Sequence, residues 1–578
     1  MATEYDFIIV GSGPAGASVA FALAQSPKKP KVLILEAGSR NDDRNLRVSG
    51  QRWLTFLQKD LNFGYKTCPQ QNVASRELDY SRGKGLGGSS AINFGAFTVG
   101  ASHDYDTWAK LTDDEDYSWP RIQGRFKKLI TFHRDLPAGT DPKYASPLAE
   151  NHGSSGPLHL GYAKEWEEDL VPTLDLLSQS GYALNPDHNS GNPIGVSLLI
   201  TSTHDGLRST ANDILSELPD NFTVLTSSPV QNVIFSGKKA IGVSSNGTSY
   251  FASREVILSA GALDTPRILM HSGIGPTDQL TKFGIPVLLP APRVGQNLRD
   301  RPFMSLVYRR KPGSTASKRG SFYGSQAAQD SALAQWQNDG TGPWSKYGCQ
   351  LAVGFLKLSE RFTSSREFRS LPEGEQEFLN HETVPHMEFV THFPVHMYFP
   401  PGAFPRVSEE QLVDYSCLSL FLYNPQSRGE ATLQSSDPDV PLRFDPRFFA
   451  HEFDRRAAAD SLREFLERFV EGNEEFRRGT EGVIAGPEKG AKSSDEELLD
   501  FWREGLGSTF HMTGTAKMGK RGEEDAVVDS AFRVIGVEGL RVADMSVVPV
   551  LVSGHTQAVA YVTGYTCGEK LLKEYDLL

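Results

Sequence analysis

The chain of 578 residues is too long for one small core, and its length predicts about two to four domains, or one large domain under a second layer. Its composition, 39% hydrophobic and 22% charged, is that of a folded protein and argues against extensive disorder. The net charge of −12 argues against nucleic acid or an anionic membrane as the main partner.

The N-terminus, "MATEYDFIIVGSG", runs directly into a buried-strand pattern, without the basic and apolar regions of a secretory signal. No apolar run approaches the roughly 18–20 residues of a membrane span. These patterns predict a cytoplasmic protein, or a secreted one if a signal has been removed. The four cysteines (Cys68, Cys349, Cys417 and Cys567) lie far apart and support neither a metal site nor a disulfide framework.

A dinucleotide-binding pattern begins at residue 5. "YDFIIVGSGPAGASVAFALAQ" places Gly11, Gly13 and Gly16 between a short apolar strand and an alanine-rich helix. The next apolar run ends in Glu36, 20 residues after the last glycine. Gly11 permits the turn, Gly13 lets the backbone approach a pyrophosphate, and Gly16 allows close helix packing. Glu36 is predicted to accept hydrogen bonds from ribose hydroxyls, and the pattern alone leaves FAD and NAD undivided.

The next informative stretch, residues 83–106, combines a glycine-rich bend with a serine pair and Asn93. Its small residues let backbone amides and hydroxyls approach a phosphate or a flat group. This stretch, "GKGLGGSSAINFGAFTVGASHDYD", resembles the first signature of the glucose–methanol–choline (GMC) flavoprotein oxidoreductases, and "GALDTPRILMHSGIG", residues 261–275, resembles the second. Similar pieces lie between and after these two signatures, in the family's order, at residues 206–215, 294–300, 424–441 and 527–549.

The resemblance implies an α/β (α+β overall) fold with two domains. A doubly wound, Rossmann-like domain assembled from discontinuous segments would bind FAD, and a substrate-binding domain on an antiparallel sheet would cover the flavin. The predicted FAD-binding segments are residues 1–160, 200–305 and 505–578. The predicted substrate-binding segments are residues 161–199 and 306–504.

The residue pattern is consistent with this division. Residues 1–37 and 254–275 read as βα units, whereas residues 385–445 read as alternating strands, such as "HMEFVTHF" and "CLSLFLYN". Residues 311–343 are polar and weakly periodic, which predicts a long surface loop or a lid over the pocket entrance. The aromatic and histidine side chains of "THFPVHMYFPP", residues 391–401, are weaker candidates for the pocket.

The resemblance also carries over individual cofactor contacts. Gly87, Ser89 and Asn93 would line the pyrophosphate and the flavin. Val230 would meet the adenine through its backbone, and Asp544 would hold the phosphate or ribityl region. Thr556 is included among the cofactor-binding positions.

Two positions decide further points. Some members of the family tether FAD through a histidine just before the asparagine of the first signature, and Ile92 stands there in this chain. FAD is therefore expected to be bound non-covalently, with modification of its 8-methyl group left open. The family's usual Asp-His pair after the "GQNL" stretch is Asp300-Arg301 here, so no histidine role can be carried to position 301.

Two histidines near the C-terminus are the predicted catalytic residues. His511 lies in "FHMTGTAKMG", and His555 follows 44 residues later in "SGHTQAVAY". An isolated histidine is more often a buried structural one, but both fall on the family's catalytic positions. A neutral imidazole can accept a hydroxyl proton near neutral pH, and a second can hold the same oxygen. By the family's usual description, His511 is the base and His555 the hydrogen-bonding partner.

Two phenylalanines beside these motifs are candidate pocket residues. Phe510 precedes the predicted base, as an aromatic residue does in aryl-alcohol oxidases, and Phe94 follows Asn93. Core packing explains both about equally well. With the "GHTQ" sequence at 554–557, Phe510 favours the aryl-alcohol and hydroxymethylfurfural side of the family, although a polyol or sugar substrate stays open.

The predicted function is FAD-dependent oxidation of a primary alcohol, aryl or furanic, with O₂ reduced to H₂O₂. The nearest alternative is a dehydrogenase that passes electrons to a quinone or another acceptor. A non-redox hydroxynitrile lyase on the same fold is a third possibility. Formate oxidation is disfavoured because a formate-oxidising relative has arginine where this chain has His555, and a photodecarboxylase is disfavoured because it lacks this histidine.

Overall fold

The structure, a computed structural model, describes residues 4–48, 55–56, 58–312, 326–346, 350–392 and 415–578. These residues form two seven-stranded sheets with helices packed around them. No helix within these ranges is long and apolar enough to cross a membrane.

The first sheet has a parallel core extended by two antiparallel strands. Its order is Phe222–Leu225, Val32–Leu35, Glu4–Val10, Thr248–Leu258, Lys239–Ser245 and Val230–Ser236, with Leu540–Val542 pairing beside Thr248–Leu258. The core strands read as continuous apolar runs such as "FIIV" and "VLIL" because helices cover both faces of a parallel sheet. The predicted doubly wound domain is therefore confirmed.

Small residues allow the helices on this sheet to pack closely. The helix Pro14–Ala24 follows the first strand and lies against the long helix Thr556–Glu574. A Cβ atom on Gly564 would lie 2.0 Å from the backbone oxygen of Ala15, so only glycine allows this approach. The helix Gly261–His271 follows the strand Thr248–Leu258, which confirms the second predicted βα unit.

The second sheet is antiparallel throughout. Its order is Thr480–Ala485, Pro302–Arg310, Tyr415–Leu422, Met387–Val390, Ala352–Leu356 and Gly195–Leu198, with Gly507–Ser508 pairing beside Pro302–Arg310. Two further short strands, Gly429–Thr432 and Arg443–Asp445, pair with each other. Strands therefore occur within residues 385–445 as predicted, although residues 393–401 of the weak pocket candidate lie outside the described residues.

The remaining elements connect and cover the two sheets. Within the described ranges, the other α-helices are Ser102–Thr112, Trp119–Leu129, Leu170–Gln179, Ala211–Leu215, Thr277–Lys282, Gln326–Asp339, Pro343–Lys346, Glu360–Thr363, Arg366–Arg369, Glu373–Asn380, Glu452–Phe465, Glu474–Arg478 and Asp495–Gly505. The short strands are Ile130–Phe132, Leu158–Leu160, Thr203–His204, Leu207–Arg208, Ile274–Gly275, Leu289–Pro290 and Gln296–Leu298.

One sequence-based expectation is wrong in part. Residues 326–339, predicted as part of a loop, form a 14-residue helix, while residues 313–325 of the same interval lie outside the described residues. Ala332 and Trp336, four residues apart, bury the same face of this helix with Trp344 and Val48. This apolar stripe is narrow and is surrounded by polar residues, so the interval lacks the periodicity that indicates a helix.

The strands follow the predicted segments closely. Every strand of the first sheet lies within residues 1–160, 200–305 or 505–578. In the second sheet, the strand Pro302–Arg310 crosses the predicted boundary at residue 305, and Gly507–Ser508 belongs to the third segment. The division into two domains at these residues stays a prediction.

Candidate active site

A cavity of about 1140 Å³ extends from the first glycine turn to the two histidines. Drug-sized ligands occupy pockets of about 300–1,000 Å³, so this cavity has room for a dinucleotide and a second small molecule. Apolar side chains from the second sheet and the segments beside it cover one end; they include Leu199, Phe303, Leu351, Val390 and Phe421. The cavity therefore lies between the two sheets.

The glycine turn has the geometry that a dinucleotide site requires. Gly11 has a φ of +98°, which favours glycine, and a Cβ atom on Gly16 would lie 2.0 Å from the backbone oxygen of Gly11. Gly13 begins the helix Pro14–Ala24 without any side chain to cap it. A Cβ atom on Gly88 would lie 2.7 Å from the Cα of Gly13, so the backbones of these two glycines pack directly against each other beside the uncapped helix. This cradle fits a pyrophosphate, which binds amides at a helix N-terminus.

Glu36 lies in the same end of the cavity and organises the loops around it. Its carboxylate accepts hydrogen bonds from the amide and hydroxyl of Ser12, at 3.1 and 2.6 Å, and from the amides of Gly38 and Gly85, at 2.9 and 3.0 Å. These four donors fix the turn, the second strand and the glycine-rich bend relative to one another. The contact of Glu36 with a ribose stays a prediction.

Twelve of the predicted site residues line this cavity. They are Gly11, Gly13, Glu36, Ser89, Asn93, Phe94, Val230, Phe510, His511, Asp544, His555 and Thr556. Gly16 and Gly87 are not among the lining residues: Gly16 packs beneath the turn, and Gly88 takes the lining position beside Gly87. Sequence spacing does not distinguish these neighbouring glycines.

Asp544 lines the cavity but turns its carboxylate towards the protein. It accepts hydrogen bonds from the amides of Gly261 and Ser546, both at 2.8 Å, and from the hydroxyls of Thr265 and Ser546, at 2.5 and 2.6 Å. Burial nevertheless raises its pKa. Asp544 thus joins the loop after the strand Leu540–Val542 to the helix Gly261–His271. Its predicted contact with the cofactor stays a prediction.

His511 is held by a ladder of hydrogen bonds with residues 299–301. The backbone of Arg299 and Thr513 exchanges two hydrogen bonds, and the amide of Thr509 donates to the carbonyl of Arg301. The amide of His511 donates to the Asp300 carboxylate at 2.8 Å. Because both strands of this ladder are fixed, the imidazole has a defined position at the cavity wall.

His555 begins the helix Thr556–Glu574, and its amide donates to the Thr98 hydroxyl at 2.6 Å. Its ring lies 4.9 Å from the ring of His511, centroid to centroid, at an interplanar angle of 81°. Its Nε2 lies 2.9 Å from Oε1 of Glu388, which is fully buried. The hydroxyl of Tyr423 donates to the other carboxylate oxygen of Glu388 at 2.6 Å. The structure therefore brings the two predicted histidines together and places the Glu388 carboxylate in hydrogen-bond contact with His555.

Arg301 joins the two histidine segments. Its fully buried guanidinium donates to the carbonyls of Gly554 and Leu551, at 2.7 and 3.1 Å, and to that of Val552. The same Nη1 atom lies 3.3 Å from Nδ1 of His511. The guanidinium also stacks over the ring of Tyr423, 3.9 Å from its centroid. A buried cation therefore stands directly beside one of the two imidazoles.

The surroundings of His511 favour its neutral form. Burial, and then the neighbouring His555, Arg301 and Arg82, lower the pKa of His511 well below its usual value. The Asp300 carboxylate does not offset these positive charges at the ring, because it accepts a hydrogen bond from the backbone amide of His511 and not from its imidazole. Burial raises the pKa of the Asp300 carboxyl, so it favours the neutral form of this group too.

Lowering the pH from 7 to 5 is expected to weaken the fold partly through His511. The folded protein keeps this imidazole neutral, whereas the unfolded chain takes up a proton near pH 6.5, so stability present above about pH 6.5 is lost below it. A histidine kept neutral at pH 5 lowers the free energy of unfolding by about 2 kcal/mol there. Urea unfolding of the wild type and His511→Asn at both pH values measures this, and equal losses in both proteins would contradict it.

Three aromatic rings form one wall of the cavity beside the histidines. The ring of Phe56 lies 5.5 Å from that of Phe94 and 5.3 Å from that of Phe510. Phe510 has a φ of +61°, which is uncommon for a residue with a side chain, and its amide donates to the Ser508 hydroxyl. This backbone conformation places Phe510 in the wall and His511 beside it.

Four of these residues were not predicted: Phe56, Arg301 as a partner of His511, Glu388 and Tyr423. Glu388 gave a usable signal, since an acidic residue within the apolar strand "HMEFV" needs a buried partner. Arg301 was visible only as a departure from the family pattern. Phe56 and Tyr423 carry no signal in the sequence, because aromatic residues are common in any core.

A dinucleotide cradle that opens onto a pair of histidines is the arrangement of a nucleotide-dependent oxidoreductase site. The family model of the GMC oxidoreductases matches this chain at residues 5–303 with its N-terminal part and at residues 425–564 with its C-terminal part. The chain therefore belongs to the GMC oxidoreductase family.

Similar proteins span the whole chain. Oxygen-dependent choline dehydrogenase 1 of Chromohalobacter salexigens is 31% identical, over 96% of this chain and 93% of that protein. Among solved structures, a formate oxidase variant from Aspergillus oryzae RIB40, studied for its FAD modification, is 27% identical with a TM-score of 0.86. A fungal aryl-alcohol oxidase is 25% identical with a TM-score of 0.85. Both structural matches cover 100% of each chain.

Proposed function

We propose that this protein catalyses the FAD-dependent oxidation of a primary alcohol, aryl or furanic, with O₂ as the electron acceptor. The observation that carries the proposal is the histidine pair, whose rings lie 4.9 Å apart at the wall of the cavity. Two imidazoles at this separation can both contact one hydroxyl oxygen. Similarity to a choline dehydrogenase and an aryl-alcohol oxidase supports an alcohol as substrate.

The cradle around Gly13 and Gly88 supports FAD as the cofactor, as does the similarity to proteins studied with this cofactor. Bound FAD would supply an acceptor for the hydride that leaves the alcohol carbon. Ile92 lines the cavity and carries no nucleophile, so this position offers no covalent link to the flavin. We therefore propose that FAD is held non-covalently.

The two imidazoles would divide the work at the alcohol oxygen. One accepts the hydroxyl proton, and the other donates a hydrogen bond that stabilises the developing negative charge. The fixed backbone on either side of each histidine holds both rings in place before the substrate arrives. Base catalysis of this kind is typically worth about 10²–10⁴-fold in rate.

The aromatic wall supports an aryl or furanic substrate over a sugar. Phe56, Phe94 and Phe510 lie beside the histidines, and the second sheet adds apolar side chains above them. A flat ring can stack or pack edge-on against such a wall, with a gain of about 0.5–1.5 kcal/mol beyond its buried area. A polyol would leave several hydroxyls without partners there.

Anaerobic mixing of the purified, FAD-containing protein with aryl, furanic, aliphatic and sugar alcohols tests this function. Bleaching of the oxidised flavin band by one class, followed by rapid recovery in air with formation of H₂O₂, is the expected result. Bleaching with slow recovery in air would replace O₂ by a quinone or another acceptor. A flavin that no alcohol bleaches would overturn the proposal and favour a non-redox lyase on this fold.

A further inference from the structure

Arg301 restricts what His511 can do. A guanidinium has only N–H donors and keeps its proton, so its 3.3 Å contact makes Nδ1 of His511 a hydrogen-bond acceptor. A neutral imidazole carries one proton, which must then lie on Nε2. The nitrogen left for a substrate is therefore a hydrogen-bond donor, although a base needs an acceptor there.

Protonating His511 would place an N–H group against the N–H groups of Arg301. Two positive charges would then face each other in a buried site, with Arg82 adding a third nearby. Among the residues that the structure describes, no acidic group contacts this ring, and the Asp300 carboxylate accepts a hydrogen bond from the backbone amide of His511 instead. Within the described residues, the surroundings of His511 thus oppose the proton transfer that a base must accept.

His555 has the opposite surroundings. Its Nε2 lies 2.9 and 3.2 Å from the two oxygens of the buried Glu388 carboxylate, an acceptor that fixes the proton on Nε2. Nδ1 is then an acceptor, and a carboxylate behind the ring stabilises the imidazolium that forms when Nδ1 takes a proton. In the described part of the chain, the other histidines that face it are His511 and His188, and burial lowers the pKa of His188 to about 4, which keeps it neutral.

We propose that Arg301 divides the catalytic roles: His555 accepts the substrate proton at Nδ1, and His511 donates a hydrogen bond from Nε2 to the substrate oxygen. This assignment rests on the proposed function and reverses the roles expected from the sequence. The alcohol O–H bond would break with its proton passing to His555, the C–H bond would break with its hydride accepted by FAD when that cofactor is bound, and a C=O bond would form. Arg301 is a positioning residue, since it acts through His511.

Neutron diffraction from deuterium-exchanged crystals of the FAD-bound enzyme tests the proton positions without any turnover. Deuterium is expected on Nε2 of both His511 and His555, and Nδ1 of both residues is expected to carry none. Deuterium on Nδ1 of His511 would overturn the proposal, because that nitrogen could then no longer accept from Arg301. This readout does not depend on knowing the substrate.

The rate of anaerobic flavin reduction, followed against pH with an alcohol that bleaches the wild type, tests the roles. Asparagine can donate a hydrogen bond but cannot take a proton. His555→Asn should therefore slow reduction by about 10²–10⁴-fold and abolish the loss of rate at low pH. His511→Asn should lose only about 10-fold and keep the low-pH limb. The reverse pattern would restore His511 as the base.

Two further variants separate positioning from folding. His451→Asn is the matched control, since His451 caps the helix Glu452–Phe465, lies away from the cavity lining, and asparagine also caps helices. Arg301→Gln removes the cation beside His511, so that His511 can take a proton. The loss of flavin-reduction rate caused by His555→Asn should then be at least 10-fold smaller when it is measured in the Arg301→Gln background. An unchanged loss in a double variant that retains FAD would contradict the role of Arg301.

The two proposals fail in different ways. If no alcohol reduces the wild-type flavin, alcohol oxidation is wrong, and the neutron result still decides the protonation of the two histidines. If alcohols reduce the wild type but the asparagine variants show the reverse pattern, the function stands and the division of roles is wrong.

Discussion

Gly16→Ala is expected to abolish FAD binding in the purified protein. The new Cβ atom would lie 2.0 Å from the Gly11 oxygen and 3.3 Å from Cγ2 of Ile9, so the helix Pro14–Ala24 would have to move away from the strand Glu4–Val10. Overpacking of this kind lowers the free energy of unfolding by about 1–3 kcal/mol. The flavin absorbance per protein, together with the unfolding temperature, measures both effects.

Gly124→Ala is the matched control for this prediction. Gly124 lies within the helix Trp119–Leu129, and a Cβ atom there would meet nothing within 4 Å. Alanine is a better helix former than glycine, so this variant should gain about 0.5–1 kcal/mol and retain its flavin. A Gly16→Ala protein that binds FAD as tightly as the wild type would show that the helix N-terminus does not hold the pyrophosphate.

Glu388→Gln is expected to slow flavin reduction by about 10²–10⁴-fold, while FAD stays bound. The amide removes the negative charge behind His555, and its NH2 group, which only donates, would replace one of the two oxygens that face His555 and Tyr423. A comparable replacement behind the histidine of a serine-protease triad reduces turnover about 10⁴-fold by disturbing the tautomer. The rate of anaerobic reduction, with the flavin spectrum as a check on binding, measures the effect.

Glu382→Gln provides the comparison, since Glu382 is exposed and lies just before the same strand, Met387–Val390. It should reduce the flavin at the wild-type rate. If Glu388→Gln also reduced at that rate, the carboxylate would serve only packing and hydrogen bonding in the core, and the case for His555 as the base would be weakened.

The dinucleotide end of the site could be predicted because its determinants are local. Strand, glycine turn and helix lie within about 20 residues, and the φ of +98° at Gly11 follows from the turn that this pattern encodes. The limit of such prediction appears at Gly87 and Gly88. Either glycine satisfies the pattern, and only the three-dimensional approach to Gly13 selects Gly88.

The partners of the histidines could not be predicted, because they come from distant parts of the chain. Glu388 reaches His555 across 167 residues of sequence, and Arg301 reaches His511 across 210. These contacts depend on the pairing of the strands in the second sheet, which single-residue patterns do not specify. The sequence could therefore identify both histidines but not the charges that surround them.

The packing of the helix Pro14–Ala24 against Thr556–Glu574, together with the strand Leu540–Val542 in the first sheet, has a consequence for biosynthesis. The N-terminal βα unit leaves the ribosome early, but one neighbour of its strand, Thr248–Leu258, and its partner helix are translated only much later. Contacts so distant in sequence slow folding and leave apolar surface exposed in the meantime. The nascent chain is therefore expected to need chaperone protection, and to capture its cofactor only after synthesis passes the second histidine.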